Sequence, residues 1–380
     1  MSKIINDKYF LFVDTKYGKF KVFINDVGAV TQSLIEYGEW AENELRFLHY
    51  FIKEGSSVVD VGAYIGTHSI AFAHFVGPKG KVISIEAQQI SFNLLNYNIL
   101  INNIYNIKTR NAIASFEPGM VLIPEIQIEN QCSFGSTSLL PLFSSCSEGF
   151  KEINSSENQV EVEAITIDNL PLDSCALIKI DAEGMEDLVL CGAKQTIIKH
   201  RPVIYAECNS VEAGIKTYKV LMNNGYKILA HVVPAFHPNN FRNSTKNLFN
   251  QGCEVAIVGL SNELMAEVDR YKLSAGELLL RIETADDLVL ALLNKPQYSM
   301  EVLRTGSAAR SGGTKCLDTA DAIRFEAERL RSRIHEIEHQ AEQAESARRD
   351  VESELRSIYR SRSWQITLFL RKVTKNLRLP

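Results

Sequence analysis

Short apolar segments alternate with helical patterns through the first two thirds of the chain. Runs rich in Val and Ile predict buried strands at residues 57–61, 81–85, 107–113, 175–180 and 202–207. Apolar residues at three- and four-residue spacing predict helices at about residues 39–53, 67–75, 91–101, 185–199 and 211–223. Strands that alternate with helices in this way are typical of a mostly parallel sheet, and therefore of an α/β fold of the Rossmann-like type.

Further elements flank this alternating region. Two strands are predicted at about 226–233 and 253–260, as an antiparallel pair at the sheet edge joined by a long Asn-rich loop. Residues 9–25 predict a β-hairpin, and residues 115–160 are interpreted as a Ser-, Asn- and Gly-rich insertion. The chain is therefore divided into 1–38 hairpin or cap, 39–262 α/β domain, 263–303 mostly helical extension, 304–318 flexible linker, 319–360 coiled coil and 361–380 basic amphipathic tail.

Apolar residues recur every seven positions near the C-terminus and predict a coiled coil. One seam consists of Ile323, Leu330, Ile337, Ala344, Val351 and Ile358. We therefore expect a homo-oligomer joined through residues 319–360, with a single charged helix as the alternative. In the tail, Trp364, Ile366 and Phe369 lie on one side of a predicted helix, and most basic residues lie elsewhere. Such a segment suits an anionic membrane surface, a partner protein, or packing onto the coiled coil.

Composition narrows the kind of protein. Hydrophobic residues make up 45% of the 380 residues, and the formal net charge of −5 argues against nucleic acid as a partner. The segment from Arg356 to Pro380 holds seven basic residues and no acidic one, so basic charge is concentrated in the tail. The seven cysteines include no Cys-x-x-Cys pair, the N-terminus does not resemble a signal peptide, and no apolar run is long enough to span a membrane. We therefore expect reduced thiols in a cytoplasmic protein, peripheral to the inner face of the membrane where the tail binds it.

A loop with two glycines follows the first buried strand. Asp60 ends the strand, Gly62 and Ala63 form the turn, and Gly66 leads into the helix. Glycine allows the backbone to approach a ligand where a Cβ would collide. Tyr64 stands where the dinucleotide fingerprint requires its second glycine, which disfavours an NAD-dependent oxidoreductase.

Acidic residues at the ends of the first two strands favour S-adenosylmethionine as the ligand. Asp60 can bind the ammonium group of its methionine part, directly or through water, and loop N–H groups can bind its carboxylate. Glu86 ends the second strand and can accept hydrogen bonds from both ribose hydroxyls. The alternative is a tight strand–helix turn beside a surface glutamate.

Five segments resemble the FkbM-type methyltransferase family. They are Gly38-Glu-Trp40, Asp60-Val-Gly-Ala-x-x-Gly66, Asn111-Ala-Ile-Ala-Ser115, Leu177-Ile-Lys-Ile-Asp-Ala-Glu-Gly-Met-Glu186 and Arg201-Pro-Val-Ile-Tyr-Ala-Glu207, within roughly residues 36–260. Ala87 and the pair Thr67-His68 depart from the family's pattern. The resemblance implies a seven-stranded sheet with an antiparallel last strand, and methyl transfer from S-adenosylmethionine to an oxygen of a sugar or related metabolite. It also implies that Asn111 and Ala112 border the adenine.

Three carboxyl groups are candidates for catalysis. Asp181 and Glu183 follow the fourth strand and Glu207 ends the next, so all three approach the crevice of the sheet. Because transfer to a hydroxyl benefits from removal of its proton, we expect one of these groups to act as a general base. Asp181 is the first candidate, Glu183 the second and Glu207 the third. The alternatives are that Glu183 caps the following helix and that Glu207 orients a loop. No His/Asp spacing marks a metal site, so no metal is assigned.

The remaining sequence features bear on the acceptor. The loop at 234–250, with Phe241 and Arg242, is expected either to cover a sugar or to be a plain edge loop. His68 is expected to be structural. The leading hypothesis is methylation of a hydroxyl in a bacterial surface polysaccharide or its precursor, because residues 361–371 resemble the tails of enzymes that build such glycans. The alternative is a catalytically degenerate scaffold that recruits glycosyltransferases through the coiled coil and tail.

Overall fold

The computed structural model describes residues 8–131, 133–136, 143–145, 149–150 and 159–295. The chain divides into two compact units, Met1–Ile323 and Arg324–Pro380, and every described residue belongs to the first. The predicted linker at 304–318, coiled coil at 319–360 and tail at 361–380 lie outside the described residues. No helix in the described part of the chain is long and apolar enough to cross a membrane.

The strands, in chain order, are β1 (Phe10–Thr15), β2 (Gly18–Phe23), β3 (Ser57–Val61), β4 (Lys81–Glu86), β5 (Ile107–Asn111), β6 (Ile113–Ala114), β7 (Gly119–Pro124), β8 (Phe143–Ser145), β9 (Gly149–Phe150), β10 (Gln159–Ile165), β11 (Leu177–Ile180), β12 (Val203–Glu207), β13 (Lys227–Pro234), β14 (Cys253–Leu260) and β15 (Leu278–Arg281). The helices are α1 (Ala29–Tyr37), α2 (Glu42–His49), α3 (Thr67–Val76), α4 (Gln89–Ile101), α5 (Glu186–Cys191), α6 (Lys194–His200), α7 (Val211–Asn223), α8 (Asn262–Val268) and α9 (Ala285–Leu292).

Eight strands form the central sheet, in the order β15-β13-β14-β12-β11-β3-β4-β5. The five strands from β5 to β12 in this order are parallel, whereas β14 is antiparallel to both of its neighbours. β3 and β11 are buried along their whole length, as expected of strands covered on both faces. The predicted α/β fold and the antiparallel pairing of β13 with β14 are confirmed.

The direction of strand addition reverses beside β3. The chain adds β4 and β5 on one side of β3, and later adds β11 and β12 on the other. Ligands of open α/β sheets bind outside the carboxyl ends of the strands at such a switch point. We therefore expect a ligand-binding site at the loops that follow β3, β4, β11 and β12.

The segment predicted as one helix at 185–199 is divided into α5 and α6. The division lies at Gly192, whose carbonyl oxygen accepts the N–H of Asp168 at 3.0 Å. The carboxylate of Asp168 in turn accepts the N–H groups of Gln195 and Thr196 at 3.0 and 2.8 Å, and so satisfies the first turn of α6. This contact between segments distant in sequence is why the helical pattern alone missed the break.

Two further features differ from the sequence prediction. β15 lies in the extension that was expected to be mostly helical, and it adds an eighth strand beside β13 where the family resemblance implies seven. Strand β7 lies within the predicted insertion at 115–160 and pairs with β10, which begins at the end of the insertion and also pairs with β6 to complete a three-stranded sheet. The insertion therefore contributes regular structure next to the carboxyl end of β5.

The predicted N-terminal hairpin is confirmed as β1 paired with β2. Val13, Phe20, Val22 and Phe23 of the hairpin are buried in a cluster with residues of α1 and α4, and α1 itself was not predicted. The side-chain oxygens of Asn98 on α4 and of Asn102, the C-cap of this helix, accept the N–H groups of Lys21 and Lys19 at 2.7 and 2.8 Å. These bonds satisfy backbone donors of β2 and fix the hairpin against the helix that follows β4.

Candidate functional site

A cleft of about 630 Å³ opens at the carboxyl ends of β3, β4 and β11. Five of the predicted site residues line it, namely Gly62, Glu86, Ala112, Asp181 and Glu183. The other lining residues are Val61, Tyr64, Ile85, Ala87, Gln88, Ile113, Ala114, Phe134, Gly135, Ala182 and Met185. The cleft thus lies at the switch point of the sheet and combines apolar walls with a few carboxyl groups, as small-molecule sites usually do.

Two backbone N–H groups fix the carboxyl group of Glu86 inside this cleft. The residue is 8% exposed, its Oε2 accepts the N–H of Tyr64, and its Oε1 accepts the N–H of Gln88, each at 2.8 Å. Burial raises the pKa of Glu86 to about 7, although the two backbone donors act to lower it. A carboxylate oxygen has two lone pairs, so each oxygen of Glu86 can accept one more hydrogen bond. This arrangement fits two neighbouring hydroxyl groups.

Tyr64 connects the glycine loop to the N-terminal part of the chain. It has a left-handed backbone with φ 48°, and its hydroxyl donates to Oδ2 of Asp26 at 2.8 Å. Oδ1 of Asp26 accepts the N–H groups of Gly28 and Phe134 at 2.9 and 3.2 Å. Burial, and then the Asp26 charge, raise the pKa of Tyr64 well above its usual value, so its hydroxyl remains a donor. Asp26 therefore fixes two aromatic residues, Tyr64 and Phe134, in the cleft wall.

The other predicted residues of the glycine loop lie outside the cleft lining. Asp60 is fully buried, and its Oδ2 accepts the hydroxyl of Ser69 at 2.5 Å. A Cβ on Gly66 would lie 2.7 Å from Cδ1 of Leu95, so this glycine allows α4 to pack closely. Ala63 is buried as well. Asp60 therefore does not line the cleft, and its expected contact with an ammonium group, directly or through water, stays a prediction.

Of Asn111 and Ala112, which were expected to border an adenine, only Ala112 lines the cleft. The side-chain Nδ2 of Asn111 donates to the carbonyl oxygens of Glu86 and Ala87 at 2.9 and 3.0 Å. Asn111 thus holds the backbone that carries Glu86, whereas Ala112 presents a methyl group to the cleft.

Asp181 is paired with a buried lysine. Lys179 is 3% exposed, and its Nζ lies 3.0 Å from Oδ2 of Asp181. Burial acts to raise the pKa of Asp181, but the Lys179 ammonium and a hydrogen bond from Glu207 hold it at about 2. Burial, and then the Asp181 charge, raise the pKa of Glu207 well above its usual value. Asp181 is therefore an anion, and Glu207 is a carboxylic acid that donates a hydrogen bond to it.

Glu183 lines the cleft from the loop after β11, with a left-handed backbone at φ 49°. Burial, followed by the charges of Asp181 and Glu186, raises the pKa of Glu183 to about 8. Glu186 holds the same loop, since its Oε1 accepts the N–H of Gly184 at 3.0 Å. The N-cap of α5 is Met185, so Glu183 does not cap that helix.

A second buried lysine reaches this region from the end of α9. Lys295 is fully buried, and its Nζ lies 2.7 Å from Oε2 of Glu254, 2.7 Å from Oδ1 of Asn209 and 3.3 Å from Oε1 of Glu207. Burial acts to lower the pKa of Lys295, but the carboxyl groups of Glu254 and Glu207 raise it above its usual value. Lys295 is therefore a charged side chain enclosed among polar partners.

His68 and the loop at 234–250 are structural in the described fold. Nε2 of His68 lies 2.9 Å from Oε1 of Glu44, away from the cleft lining. Within the loop, the N–H of Phe241 donates to Oε2 of Glu39 at 2.8 Å. The loop is thereby attached to the N-terminal cap, and it contributes no residue to the cleft lining.

Metal-binding and thiol chemistry find little support in this region. Among the described residues, no group of His, Cys, Asp and Glu side chains could hold a metal ion. Among the described residues, Cys175, Cys191 and Cys208 are free thiols. Burial raises the pKa of Cys175 and of Cys208 to about 12, which keeps both thiols protonated.

Four residues of this site escaped the sequence analysis as functional residues. Tyr64 and Glu186 lie within the quoted motifs, and their closeness to Gly62 and Glu183 is a signal that could have identified them. Asn209 lies two residues after Glu207, but nothing in its surroundings indicates a role. Lys295 is separated by 88 residues from Glu207, and no spacing rule connects them.

A comparison with family models identifies the family of the chain. Residues 60–252 match the model of the methyltransferase FkbM domain. No curated protein matches the chain. Among solved structures, a methyltransferase FkbM from Methylobacillus flagellatus KT aligns at 16% identity over 61% of this chain and 52% of that chain, with a TM-score of 0.35. A precorrin-6y C5,15-methyltransferase from Geobacter metallireducens GS-15 aligns at 14% identity over 60% of this chain and 95% of that chain, with a TM-score of 0.36. A SAM-dependent O-methyltransferase from Thermotoga maritima aligns at 14% identity over 66% of this chain and 77% of that chain, with a TM-score of 0.34.

Proposed function

The chain belongs to the FkbM methyltransferase family, and from this premise we propose that it methylates a hydroxyl oxygen of a sugar. S-Adenosylmethionine is the methyl donor of this family. The observation that carries the proposal is that Glu86 and Glu183 line one cleft. The carboxyl group of Glu86 can accept hydrogen bonds from the ribose of the donor, and that of Glu183 can accept the proton of an acceptor hydroxyl.

The cleft suits the donor in its chemistry. Glu86 would hold the two ribose hydroxyls, and the side chains of Tyr64, Phe134, Ala112 and Met185 offer apolar surface for the adenine. When bound, S-adenosylmethionine supplies a methyl group on a positively charged sulfur, which is already a good electrophile. The tasks left to the protein are to orient the acceptor and to accept its proton.

Glu183 has the properties of the general base. A base works best when its pKa lies near the working pH, and the pKa is about 8 for Glu183 but about 2 for Asp181. In its ionised form, Glu183 takes the proton of the hydroxyl. Asp181, kept ionised by Lys179, maintains the proton affinity of Glu183, and Glu207 donates a hydrogen bond to Asp181. This proposal reverses the expected order of Asp181 and Glu183 and assigns Glu207 to positioning.

A sugar is proposed as the acceptor because a neutral polyol can donate hydrogen bonds to the carboxyl and amide oxygens near Glu183. The resemblance of residues 361–371 to the tails of polysaccharide-building enzymes supports a bacterial surface glycan, or its precursor, as the larger molecule. The same tail, joined to the predicted coiled coil, supports an oligomer at the inner face of the cytoplasmic membrane. These features lie outside the described residues and rest on the sequence.

Transfer of labelled methyl from S-adenosylmethionine tests the function. Neutral sugars, amino sugars and lipid-linked bacterial oligosaccharides serve as acceptors, and nuclear magnetic resonance of the product locates the new methyl group. We expect a methyl ether on a sugar, with turnover reduced roughly 10²–10⁴-fold in Glu183→Gln and binding of S-adenosylhomocysteine retained. The proposal is wrong if the methyl group appears on nitrogen or carbon, or if Glu183→Gln turns over at the wild-type rate.

A further inference from the structure

The buried lysine at the end of α9 lies outside the part of the chain that the family model matches, which ends at residue 252. Within the described residues its ammonium group has three partners, Glu254 and Asn209 at 2.7 Å and Glu207 at 3.3 Å. Burying an ammonium group is costly unless it is both paired and hydrogen-bonded, and Lys295 meets both conditions. A simple surface ion pair would require neither the depth nor the number of partners.

Two of these partners lead directly to the carboxyl groups of the cleft. The side-chain Nδ2 of Asn209 donates to Oε2 of Glu183 at 3.5 Å, while its Oδ1 faces Lys295. Glu207, which faces Lys295 through Oε1, donates a hydrogen bond to Asp181. One ammonium group therefore connects, through one residue in each case, to Asp181 and Glu183, two of the three acidic residues that line the cleft.

Helix α9 gives Lys295 a fixed origin. A capping box closes its first turn, in which Oδ2 of Asp287 accepts the N–H and the hydroxyl of Thr284 at 2.9 and 3.0 Å. The helix packs closely on α7, since a Cβ on Gly214 would lie 2.7 Å from Cδ2 of Leu288. Lys295 lies three residues beyond the end of this helix, and its N–H donates to the carbonyl oxygen of Leu292 at 3.0 Å. A side chain attached in this way to a packed helix is held in place better than one on a free loop.

We propose that Lys295 is a positioning residue of the methyl-transfer site, which holds Asn209 and Glu207 and thereby sets the placement and ionisation of Glu183. The inference rests on the proposed function. It makes the segment after residue 262 a part of the site, although that segment was expected to be only an extension.

Loss of the Lys295 charge should raise the pKa of Glu183. The charged groups that act on Glu183 are Asp181 from its own loop, Glu186 from the start of α5, Glu254 from β14 and Lys295 from the turn that follows α9. Burial and the carboxylates raise the pKa of Glu183, and Lys295 lowers it. Loss of the ammonium group therefore keeps Glu183 protonated to a higher pH.

The test uses two probes that differ in charge at one atom. S-Adenosylmethionine carries a positive sulfur and S-adenosylhomocysteine a neutral one, so the ratio of their affinities reports negative charge in the cleft. Calorimetric titrations of the full chain between pH 6 and 9.5 should show the preference for S-adenosylmethionine rising with pH, first as Glu86 ionises near its pKa of about 7 and then as Glu183 ionises near its pKa of about 8. The upper midpoint is the one that reports on Glu183. In Lys295→Met we expect the midpoint to move upward by at least about 0.5 pH unit, since a threefold change in proton affinity corresponds to that shift. Lys295→Arg should stay near wild type.

Two further variants keep the outcome decisive. Lys216→Met removes a cation on α7 that pairs with Glu212, and it should leave the midpoint unchanged. If Lys295→Met fails to fold, Asn209→Ala retains the ammonium group but breaks its connection to Glu183, and the midpoint should again move upward. A midpoint at the wild-type value in folded Lys295→Met, or in Asn209→Ala, overturns the inference. If wild type binds neither probe, the proposed function itself fails; if it binds both and only the variant shift is missing, the positioning role alone fails.

Discussion

Gly62 and Asp181 meet backbone to backbone at the ends of two neighbouring strands. A Cβ on Gly62 would lie 1.9 Å from the carbonyl oxygen of Asp181, and the φ of Gly62 is 75°. The donor loop and the loop that carries the acceptor-side acids are therefore in contact without any side chain between them. The absence of a side chain at Gly62 is therefore required for the contact between the two loops, in addition to any part it has in ligand binding.

Gly62→Ala should destabilise the whole fold, because backbone atoms cannot give way as a flexible side chain does. We expect a loss of several kcal/mol in the free energy of unfolding, from the collision together with the strain of a positive φ. Gly225→Ala is the matched control: its φ is 69°, but nothing lies within 4 Å of its Cβ position. That control should lose about 1 kcal/mol. Urea denaturation measures both, and equal losses would contradict the contact.

Glu86→Gln should weaken the binding of S-adenosylhomocysteine. The two oxygens of Glu86 accept the N–H groups of Tyr64 and Gln88, and an amide presents only one oxygen to these two donors. Loss of one charge-assisted hydrogen bond costs about 1.5–3 kcal/mol, which is roughly a tenfold to hundredfold loss of affinity. Calorimetry with Glu161→Gln, an exposed residue of β10, provides the control. A change below twofold in Glu86→Gln would remove this residue from the donor site.

Glu186→Gln should make stability less sensitive to pH. Burial raises the pKa of Glu186 to about 7, above its usual value of 4.5, so the stability that its protonated form contributes is present below pH 4.5 and is lost as pH rises through 7. A glutamine keeps the oxygen that accepts the N–H groups of Ala182 and Gly184. Urea denaturation should show nearly equal stability at pH 5, with the variant more stable by roughly 1–3 kcal/mol at pH 8. Identical curves at both values would show that Glu186 is not held protonated.

Tyr64→Phe should loosen the contact between the glycine loop and the N-terminal part of the chain. The variant keeps the ring in the cleft wall but removes the hydroxyl that donates to Asp26 at 2.8 Å. Leaving a buried carboxylate oxygen without this donor costs about 1–3 kcal/mol of stability. Tyr105→Phe, at a residue that is 88% exposed, should change nothing measurable. Thermal unfolding of the two variants side by side decides the matter, and equal melting temperatures would count against the contact.

The tail supports a separate prediction that rests on the sequence. Each Lys or Arg near an anionic bilayer contributes about 1 kcal/mol, and several tails on one oligomer bind more tightly than one. The full chain should co-sediment with anionic vesicles at low salt, and a chain that ends at Tyr359 should not. If the full chain stays in the supernatant, the tail does not bind membranes under these conditions.

The sequence predicted the strands of the sheet better than it predicted side-chain directions. The apolar segments ending at Val61, Glu86 and Glu207 were found because strands buried on both faces consist almost wholly of apolar residues. Asp60 was expected in the cleft because it ends a strand, but successive side chains of a strand point to opposite faces. Its carboxylate faces Ser69 on α3 instead.

The properties of the acidic residues could not be predicted, because they depend on groups brought together by the fold. The motif places Asp181 and Glu183 two residues apart, with nothing to distinguish them as bases. In the structure, Lys179 lies 3.0 Å from Asp181 and lowers its pKa, whereas burial and the charge of Asp181 raise the pKa of Glu183. Lys295 enters the same network from the turn after α9, the helix that follows β15, so local patterns contained no signal for it.

Strand β15 also protects the edge of the central sheet at β13 from pairing with other molecules. Strand β13 is eight residues long, and Leu278–Arg281 pairs with its central part from Val232 to Leu229. An uncovered strand of that length would offer its unpaired backbone groups to any extended segment, which is a common beginning of fibrous aggregates. A four-residue strand at the border gives an incoming chain far less to pair with. Mutations that loosen β15 are therefore expected to appear first as insolubility on overexpression, before any defect in catalysis can be measured.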